Sequence, residues 1–310
     1  MTKPTIAVDL YSDTVTRPTP EMRRFMCEAE VGDEQKLEDP TVNLLVEMVT
    51  ELLGKEAAVF LPSGTMCNEI SLRVHCRPGD EMLAHATAHP LNFEAGGPAA
   101  LAGVNARALE GRRGQFDEAT VKAAIRPDNR YMPRSRLLWV EQTTNLGGGS
   151  VWPLERLRAV TAAAREHGLR THLDGARLMN AVVASGVPAR EFAKTFDSAW
   201  IDFTKGLGAP VGAALAGSRE FIAEAWRLKQ QMGGAMRQAG IIAAGGIYAL
   251  RHHVNRLAED HAHARRLAAH GVLMGALGPR TIRAVTHLDV SGAQVEQALA
   301  SACAVFTAAS

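Results

Sequence analysis

Helical and strand-like segments alternate along most of this 310-residue chain, and that alternation limits the possible folds more than any other feature. Asp39 and Pro40 form a typical N-cap and first-turn pair, and the apolar stripe after them predicts a helix ending at Gly54. An amphipathic pattern predicts another helix at 154–167. Short apolar runs predict buried strands, at 57–61, 81–84, 136–140, 168–174 and 198–203. The sequence therefore predicts an α/β fold, a mainly parallel sheet sandwiched by helices.

Two charged residues stand at the ends of the last two predicted strands. Asp174 ends one strand, and Lys205 follows the other within the segment 202–210. Taken singly, an aspartate such as Asp174 is more often a turn or cap residue, and a lysine such as Lys205 is more often a solvated loop residue. At the carboxyl ends of strands, where open α/β sheets bind ligands, the pair suits pyridoxal 5′-phosphate (PLP): the lysine forms a Schiff base and the carboxylate keeps the ring nitrogen protonated. Gly206 and Gly208 are expected to let the backbone lie against the cofactor.

A phosphate site is predicted where the strand at 57–61 leads into a helix. Ser63, Gly64 and Thr65 open that helix, and free N–H groups at a helix N-terminus attract anions. Gly64 is expected to permit close approach, and Ser63 or Thr65 to add a hydroxyl donor. The same residues also form an ordinary helix cap, so their position ahead of Asp174 and Lys205 carries the interpretation.

His89 follows the predicted strand at 81–84 and precedes Gly96 and Gly97. An imidazole there is able to stack on a pyridine ring and to accept a proton from a substrate hydroxyl. A loop histidine is more often a surface residue, and the chain has 11 histidines, so position alone does not single it out.

The composition fits a soluble enzyme with a large core, since 46% of the residues are hydrophobic and 22% charged, and the length of 310 residues suggests one large and one smaller domain. A net charge of +1 gives no reason to expect a nucleic-acid or membrane partner. The start of the chain lacks the apolar core of a signal peptide, and no apolar run is long enough to span a bilayer. We therefore expect a cytoplasmic protein without a metal site, whose cysteines show no paired ligand spacing: Cys27, Cys67, Cys76 and Cys303.

These motifs resemble those of the low-specificity L-threonine aldolases over nearly the whole chain. The segments that carry the resemblance are 9–16, 38–42, 63–66, His89 with 94–97, 174–177, 204–208 and 233–238. The resemblance implies the PLP-dependent transferase-like fold of type I. We expect a large PLP-binding domain at 1–245, including an N-terminal segment at 1–40. An abbreviated α+β domain at 246–310 would follow, linked through a helical stretch at 239–270.

The resemblance also implies roles for individual residues. Lys205 would carry the Schiff base, Asp174 would pair with the ring nitrogen and His89 would stack on the ring. The cofactor-binding set would also include Ser63, Gly64, Thr65, Arg177, Thr204 and Arg237. The substrate-binding set would be Ser12, Arg177, Arg283 and Thr144, where a guanidinium fork suits a carboxylate, although a surface ion pair is the commoner role of an arginine.

The sequence departs from the family pattern at four places. Tyr11 replaces an arginine, Lys36-Leu37 replace a Tyr-Gly pair, and Thr144 replaces a histidine near the substrate hydroxyl. The last change leaves His89 or an ordered water as the expected base, with Thr144 as a possible hydrogen-bond donor. After 271 the chain also passes directly to 273–280, where the family has further strands. Because one or two strands do not make a stable sheet, the small domain is abbreviated, completed by another subunit or partly unformed.

The resulting expectation is cleavage of an amino-acid substrate, an L-β-hydroxy-α-amino acid of threonine, allo-threonine or phenylserine type, to glycine and an aldehyde. The alternatives are a PLP-dependent β-eliminating lyase, which releases a keto acid and ammonia, and a catalytically impaired PLP-binding homologue. The resemblance further implies a homodimer or homotetramer with active sites at the subunit interface.

Overall fold

A computed structural model describes residues 8–269 and 284–308 of the chain. Its strands are β1 (Ala57–Leu61), β2 (Glu81–His85), β3 (Asn105–Leu109), β4 (Ser135–Glu141), β5 (Arg170–Gly175), β6 (Ser198–Asp202) and β7 (Ala213–Gly217). They form one sheet in the order β1-β7-β6-β5-β4-β2-β3. β7 runs antiparallel to β1 and β6, and the other neighbouring pairs are parallel. The predicted, mainly parallel sheet is confirmed.

Helices precede, connect and follow these strands. They are α1 (Pro20–Cys27), α2 (Pro40–Leu53), α3 (Gly64–His75), α4 (His89–Asn92), α5 (Gly97–Ala100), α6 (Glu118–Ala124), α7 (Leu154–Glu166), α8 (Leu178–Ser185), α9 (Ala189–Ala193), α10 (Arg219–Gln231), α11 (Gly240–Tyr248), α12 (Leu257–Ala269) and α13 (Gly292–Ala308). Short 3-10 turns lie at Asp13–Val15, Glu34–Lys36, Arg112–Gly114 and Lys205–Leu207.

The two faces of the sheet are buried by different helices. On β1, Phe60 joins the larger apolar core, whereas Val59 and Leu61 join a second cluster that includes Ile70 of α3 and Leu228 of α10. Successive side chains of a strand point to opposite faces, which explains this division. The sheet is therefore a middle layer, and its strand ends are free to carry polar groups.

The helical stretch predicted at 239–270 is not one helix. α11 passes into a π-helical turn at Ala249–His253, and α12 begins only at Leu257. The π-helical turn brings His253 against the loop after β6, where its Nδ1 lies 2.7 Å from the carbonyl oxygen of Leu207. That contact accounts for the interruption between α11 and α12, because a continuous α-helix would turn the His253 side chain away from the Leu207 carbonyl.

The described C-terminal residues pack on the N-terminal segment. Val285 donates its N–H to the carbonyl of Leu10, and Arg17 donates its N–H to Asp289. The segment 273–280 and Arg283, both discussed above, lie outside the described residues. None of the described helices combines the length and apolar character needed to cross a bilayer.

Candidate active site

Carboxylates end three neighbouring parallel strands: Glu141 on β4, Asp174 on β5 and Asp202 on β6. Glu141 lies directly opposite Asp174 in the β4–β5 register. All three side chains belong to buried residues. Burial, followed by the charge of Asp174, raises the pKa of Glu141 to about 8. This edge of the sheet therefore concentrates acidic groups in a site of low polarity, where a cation would stabilise them.

Asp174 is 1% exposed, and both of its oxygens accept hydrogen bonds. Oδ1 accepts from the Ala176 N–H at 3.0 Å, and Oδ2 accepts from Nδ2 of Asn68 at 3.1 Å. Burial raises the pKa of Asp174 to about 6, while the nearby His89 and the Ala176 N–H oppose that rise. A carboxylate held in this way fits a protonated ring nitrogen, which would restore the charge balance lost on burial.

Lys205 lies in the turn after β6 with a left-handed backbone, at φ 55°. Its Nζ forms an ion pair with Asp202 and lies 5.9 Å from the ring centroid of Trp200. Thr204 holds the same carboxylate, since its N–H and Oγ1 donate to Oδ1 of Asp202 at 2.9 and 2.7 Å. Asp202 therefore fixes the turn that carries the lysine.

The glycines beside Lys205 have a different role from the one predicted. Neither lines the cavity described below. A Cβ at Gly206 would lie 2.9 Å from Leu257, and one at Gly208 would lie 3.0 Å from Leu288. Gly208 also has a φ of 78°. They are needed for close packing and a left-handed turn against the C-terminal part of the chain, rather than for approach to a cofactor.

The N-terminus of α3 faces the same cavity. Ser63 is the N-cap, and its Oγ accepts the N–H of Met66 at 3.2 Å. Gly64 lies so close to the Trp200 ring that a Cβ would collide with it. Gly64 thus allows the helix end to approach Trp200, a packing reason that the sequence did not reveal. Ser63 and Thr65 are exposed, and their position at a helix N-terminus fits an anionic phosphate.

His89 begins α4 and lies within reach of an acid. Its Nδ1 is 2.7 Å from Oε1 of Glu94, which also accepts from Nδ2 of Asn68 at 2.5 Å. Because Asn68 also donates to Asp174, one amide connects the carboxylate at β5 with the carboxylate behind the histidine.

Arg177 is held by an acid of the N-terminal segment. Its Nε and one terminal nitrogen donate to the two oxygens of Asp13 at 2.7 and 2.6 Å. Burial alone would lower the pKa of Arg177, but the charge and hydrogen bonds of Asp13 raise it above the ordinary arginine value. Ser12 caps the adjacent 3-10 turn, accepting the N–H of Thr14 at 3.2 Å. Two donor groups of the guanidinium face Asp13, which leaves its remaining N–H groups for a ligand.

A cavity of about 540 Å³ joins these features. Its lining includes Tyr11, Ser12, Ser63, Gly64, Thr65, Asn68, His89, Phe93, Glu141, Asn145, Asp174, Arg177, Trp200, Asp202, Thr204 and Lys205. The structure therefore brings together the predicted residues of the β5 and β6 ends, the α3 N-terminus, His89, Ser12 and Arg177.

Two predicted site residues do not line this cavity. Thr144 is 2% exposed, and its hydroxyl lies 3.0 Å from the carbonyl of Arg113 and 2.8 Å from Oγ of Ser150. Arg237 has a side chain that is 62% exposed and paired with Asp33 at 2.9 Å. The hydroxyl of Thr144 is thus engaged with a neighbouring loop, and Arg237 lies away from the cavity of its own chain.

Several residues in or behind the cavity were not predicted. Asn68 lines the cavity one helical turn beyond the predicted phosphate loop. Glu94 lies behind His89, in the segment 94–97, which was given no catalytic or binding role. Glu141 and Asp202 each end a strand that was predicted correctly. Applying the strand-end argument used for Asp174 to β4 and β6 would have identified both acids.

Comparisons with known proteins agree with this geometry. A family model described as beta-eliminating lyase matches residues 9–293. A low-specificity L-threonine aldolase of Escherichia coli K12 is 45% identical over 262 residues, covering 84% of this chain and 78% of the relative. Low-specificity L-threonine aldolase 1 of Arabidopsis thaliana is 41% identical over 266 residues, covering 84% and 74%. A solved threonine aldolase structure from Leishmania major aligns with a TM-score of 0.76 at 22% identity, covering 84% of this chain and 78% of that one.

Proposed function

This chain belongs to the family of low-specificity L-threonine aldolases, and we propose that its cavity cleaves L-β-hydroxy-α-amino acids to glycine and an aldehyde. Membership confirms the predicted type I fold and the PLP cofactor. The observation that carries the residue assignments is a buried carboxyl at the end of β5, Asp174, sharing one cavity with Lys205 and the N-terminus of α3.

The cavity residues fit the cofactor at three points. Asp174 would receive the ring nitrogen, Lys205 would be the attachment residue, and the α3 N-terminus with Ser63, Gly64 and Thr65 would bind the phosphate. When bound, PLP supplies an electron sink that stabilises negative charge at the α-carbon of an amino acid. Thr204 contributes indirectly, because it and Lys205 share the Asp202 carboxylate.

Arg177 and Ser12 are the groups of the described chain that we assign to the substrate carboxylate. The two-point contact with Asp13 fixes the plane of the Arg177 guanidinium before any substrate arrives. When the substrate carboxylate binds a guanidinium that is already oriented, the bonds at the substrate α-carbon are held in one orientation. This orientation selects the bond that is broken, which for an aldolase must be the Cα–Cβ bond.

His89 is the residue that we assign to the proton of the β-hydroxyl. Its Nδ1 lies against Glu94, so donation of the Nδ1 proton to that carboxylate leaves Nε2 as the acceptor. The Thr144 hydroxyl is occupied by Arg113 and Ser150, which supports His89, or a water held by it, over Thr144.

The test is product analysis with threonine, allo-threonine and phenylserine as substrates. Glycine and the matching aldehyde in equal amounts are expected. A keto acid with ammonia would instead identify a β-eliminating lyase, and a cofactor absorbance band without turnover would identify a non-catalytic PLP-binding protein. Either of these results contradicts the proposed reaction.

We also infer a homo-oligomer assembled around the cavity mouth. Tyr11 and Phe93 line the cavity yet are 79% and 53% exposed. Large exposed apolar side chains beside a site favour a partner surface. Such an assembly would also let Arg237 reach the cavity of a neighbouring copy. Light scattering should give a dimer or tetramer mass, and a monomer mass at micromolar concentration would contradict the inference.

The domain division at 245/246 and a cytoplasmic location are part of the same proposal. The π-helical turn at Ala249–His253 lies just after the proposed boundary. Cys27, Cys67 and Cys76 are free thiols, as expected in a reducing compartment. Limited proteolysis that cleaves first between 246 and 284 would support the division, and localisation of a tagged chain would test the compartment.

A further inference from the structure

Three buried carboxyl oxygens beside His89 have no hydrogen-bond donor among the described residues. They are both oxygens of Glu69 and Oε2 of Glu94. Glu69 is 1% exposed and Glu94 is 6% exposed. A buried acceptor without a donor is costly, so a polar group or a proton is required at this place.

The two side chains face each other. Glu69 lies on α3, Glu94 lies between α4 and α5, and their carboxyl groups are within hydrogen-bonding reach. Ionised carboxylates only accept, so this contact becomes a hydrogen bond only when one of the two carries a proton. Burial, followed by the charge of Glu94 and the hydrogen bond to it, raises the pKa of Glu69 to about 8.

The packing around Glu69 is tight. A Cβ at Gly97, the first residue of α5, would collide with the Glu69 carboxyl. Gly97 therefore lets the start of α5 close over the pair, with its N–H donated to the Glu94 carbonyl at 2.8 Å. This closure shields the two carboxyl groups from solvent and strengthens their mutual interaction.

The neighbours decide which of the two acids is ionised. Oε1 of Glu94 receives hydrogen bonds from His89 and Asn68, whereas neither oxygen of Glu69 receives one from a described residue. Donors favour the charged form, so the negative charge resides on Glu94 and the proton on Glu69.

The other titratable groups near the pair come from three elements. His89 on α4 contacts Glu94 directly, and Asp174 on β5 is connected to it through the Asn68 amide. The Cys67 thiol on α3 is buried, and burial followed by nearby carboxylates holds its pKa well above the ordinary value. In the described part of the chain, His89 is the one basic side chain that contacts either acid.

We propose that Glu69 and Glu94 share one proton and that Glu69 is thereby a positioning residue for His89. Glu69 donates the proton to Oε2 of Glu94, which leaves Oε1 to hold the Nδ1–H of His89. The Nε2 atom then remains the acceptor in the cavity that His89 lines. Loss of the shared proton sets two buried carboxylates against each other and disturbs the acid that orients the histidine. The positioning role rests on the assignment of His89 under the proposed function.

Two substitutions of Glu69 that nearly keep its volume distinguish the loss of the hydrogen-bond donor from a change in packing. Glu69→Gln keeps a permanent N–H donor to Glu94, and Glu69→Leu removes it. At pH 7 the Gln holoenzyme should retain kcat/KM within about twofold of wild type, whereas the Leu holoenzyme should lose roughly tenfold. The wild-type rate should fall more than that of the Gln variant as the pH rises through about 8, because Glu141 titrates in both proteins and Glu69 only in the wild type.

Infrared spectroscopy provides a readout that does not depend on activity. The wild-type minus Glu69→Gln difference spectrum should contain the carbonyl stretch of a protonated carboxylic acid below pH 8 and lose it above. The difference cancels the contribution of Glu141, whose pKa is also about 8. The measurement applies equally to the protein with and without PLP.

The outcomes are distinguishable. Absence of the acid band at pH 6 overturns the shared proton. If the band is present but Gln and Leu lose the same activity, or neither loses any, Glu69 does not position His89. If wild type forms no glycine and aldehyde, the proposed function fails, and the infrared result still decides the shared proton.

Discussion

Two polar clusters share helix α3 and strand β5, and they differ in how their hydrogen bonds are completed. The cavity cluster consists of Asn68, Glu69, His89, Glu94 and Asp174. The distal cluster consists of Lys55, His75, His172, Asp197 and Ser198. Helix α3 carries Asn68, Glu69 and His75, and strand β5 carries His172 and Asp174 two residues apart, on one face of the sheet.

The distal cluster is nearly complete. Nζ of Lys55 donates to the carbonyls of Ala193 and Phe196 at 2.9 and 2.5 Å. Ser198 Oγ lies 2.7 Å from ring nitrogens of both His75 and His172. Nε2 of His172 is its one buried atom without a partner in the described chain. Burial lowers the pKa of His75 to about 4, so this histidine is neutral and structural near pH 7.

The cavity cluster is incomplete by contrast. Four of its acceptor atoms have no donor in the described chain: Asn68 Oδ1, both Glu69 oxygens and Glu94 Oε2. Polar burial alone therefore does not mark a functional site in this protein. What distinguishes the cavity cluster is this unbalanced set of acceptors, which a proton or another polar group would complete. Substitutions in the two clusters should accordingly affect different quantities.

The largest effect is expected at the cavity for Lys205→Ala. Loss of the attachment residue should lower kcat by at least about a thousandfold and abolish the covalent adduct trapped by borohydride. Peptide mapping of the reduced wild-type protein should find PLP on Lys205. Burial also lowers the pKa of Lys55 in the distal cluster to about 8. Label on Lys55 instead would mean that the distal cluster, and not the cavity cluster, holds the cofactor.

Asp174→Asn should have the next largest effect. The amide keeps the volume and the contact with Asn68 but removes the charge opposite the ring nitrogen, so kcat should fall roughly a hundredfold or more while PLP remains bound. His172→Gln, two residues earlier on the same strand, is the matched control and should leave kcat within about twofold. Equal losses from both would mean that β5 affects activity through its packing alone.

His89→Phe separates the ring surface from the proton acceptor. The benzyl ring keeps a stacking surface, so PLP binding should persist, whereas kcat/KM should fall on the order of a hundredfold if Nε2 accepts the hydroxyl proton. Retention of most wild-type activity would show that His89 serves as a platform only, and that the base lies elsewhere in the cavity.

The smallest effect is expected from the distal cluster, in stability rather than activity. The pKa of His75 is about 4 in the folded protein and near 6.5 in the unfolded chain. Its contribution to the free energy of unfolding is therefore present above pH 6.5 and lost as the pH falls toward 4. His75→Gln should reduce this loss of unfolding free energy at acid pH by less than about 1.4 kcal/mol per pH unit. Urea unfolding between pH 4 and 7 measures it, with kcat at pH 7 unchanged; identical pH slopes would contradict a neutral His75.

The strand-end residues were predictable because they depend on local rules. Asp174, Lys205 and the α3 N-terminus follow from where strands stop. Each predicted strand is present, β1 with its predicted ends and the others with ends shifted by one or two residues. β3 was missed because its residues are largely exposed, and β7 because its short run consists mostly of alanine. Contacts between distant segments were not predictable. The closure of α5 over Glu69 and the engagement of Thr144 by Arg113 are not encoded in any local pattern.

The indole of Trp200 packs against Gly64, at the N-terminus of α3, and lies near Lys205. Of the chain's four tryptophans it is the one that lines this cavity. Its fluorescence should therefore respond to whatever fills the space, by contact quenching or by energy transfer to an absorbing ring. Because Gly64 allows the helix end to approach this indole, the fluorescence of Trp200 should report whether the cavity is occupied, without an added dye.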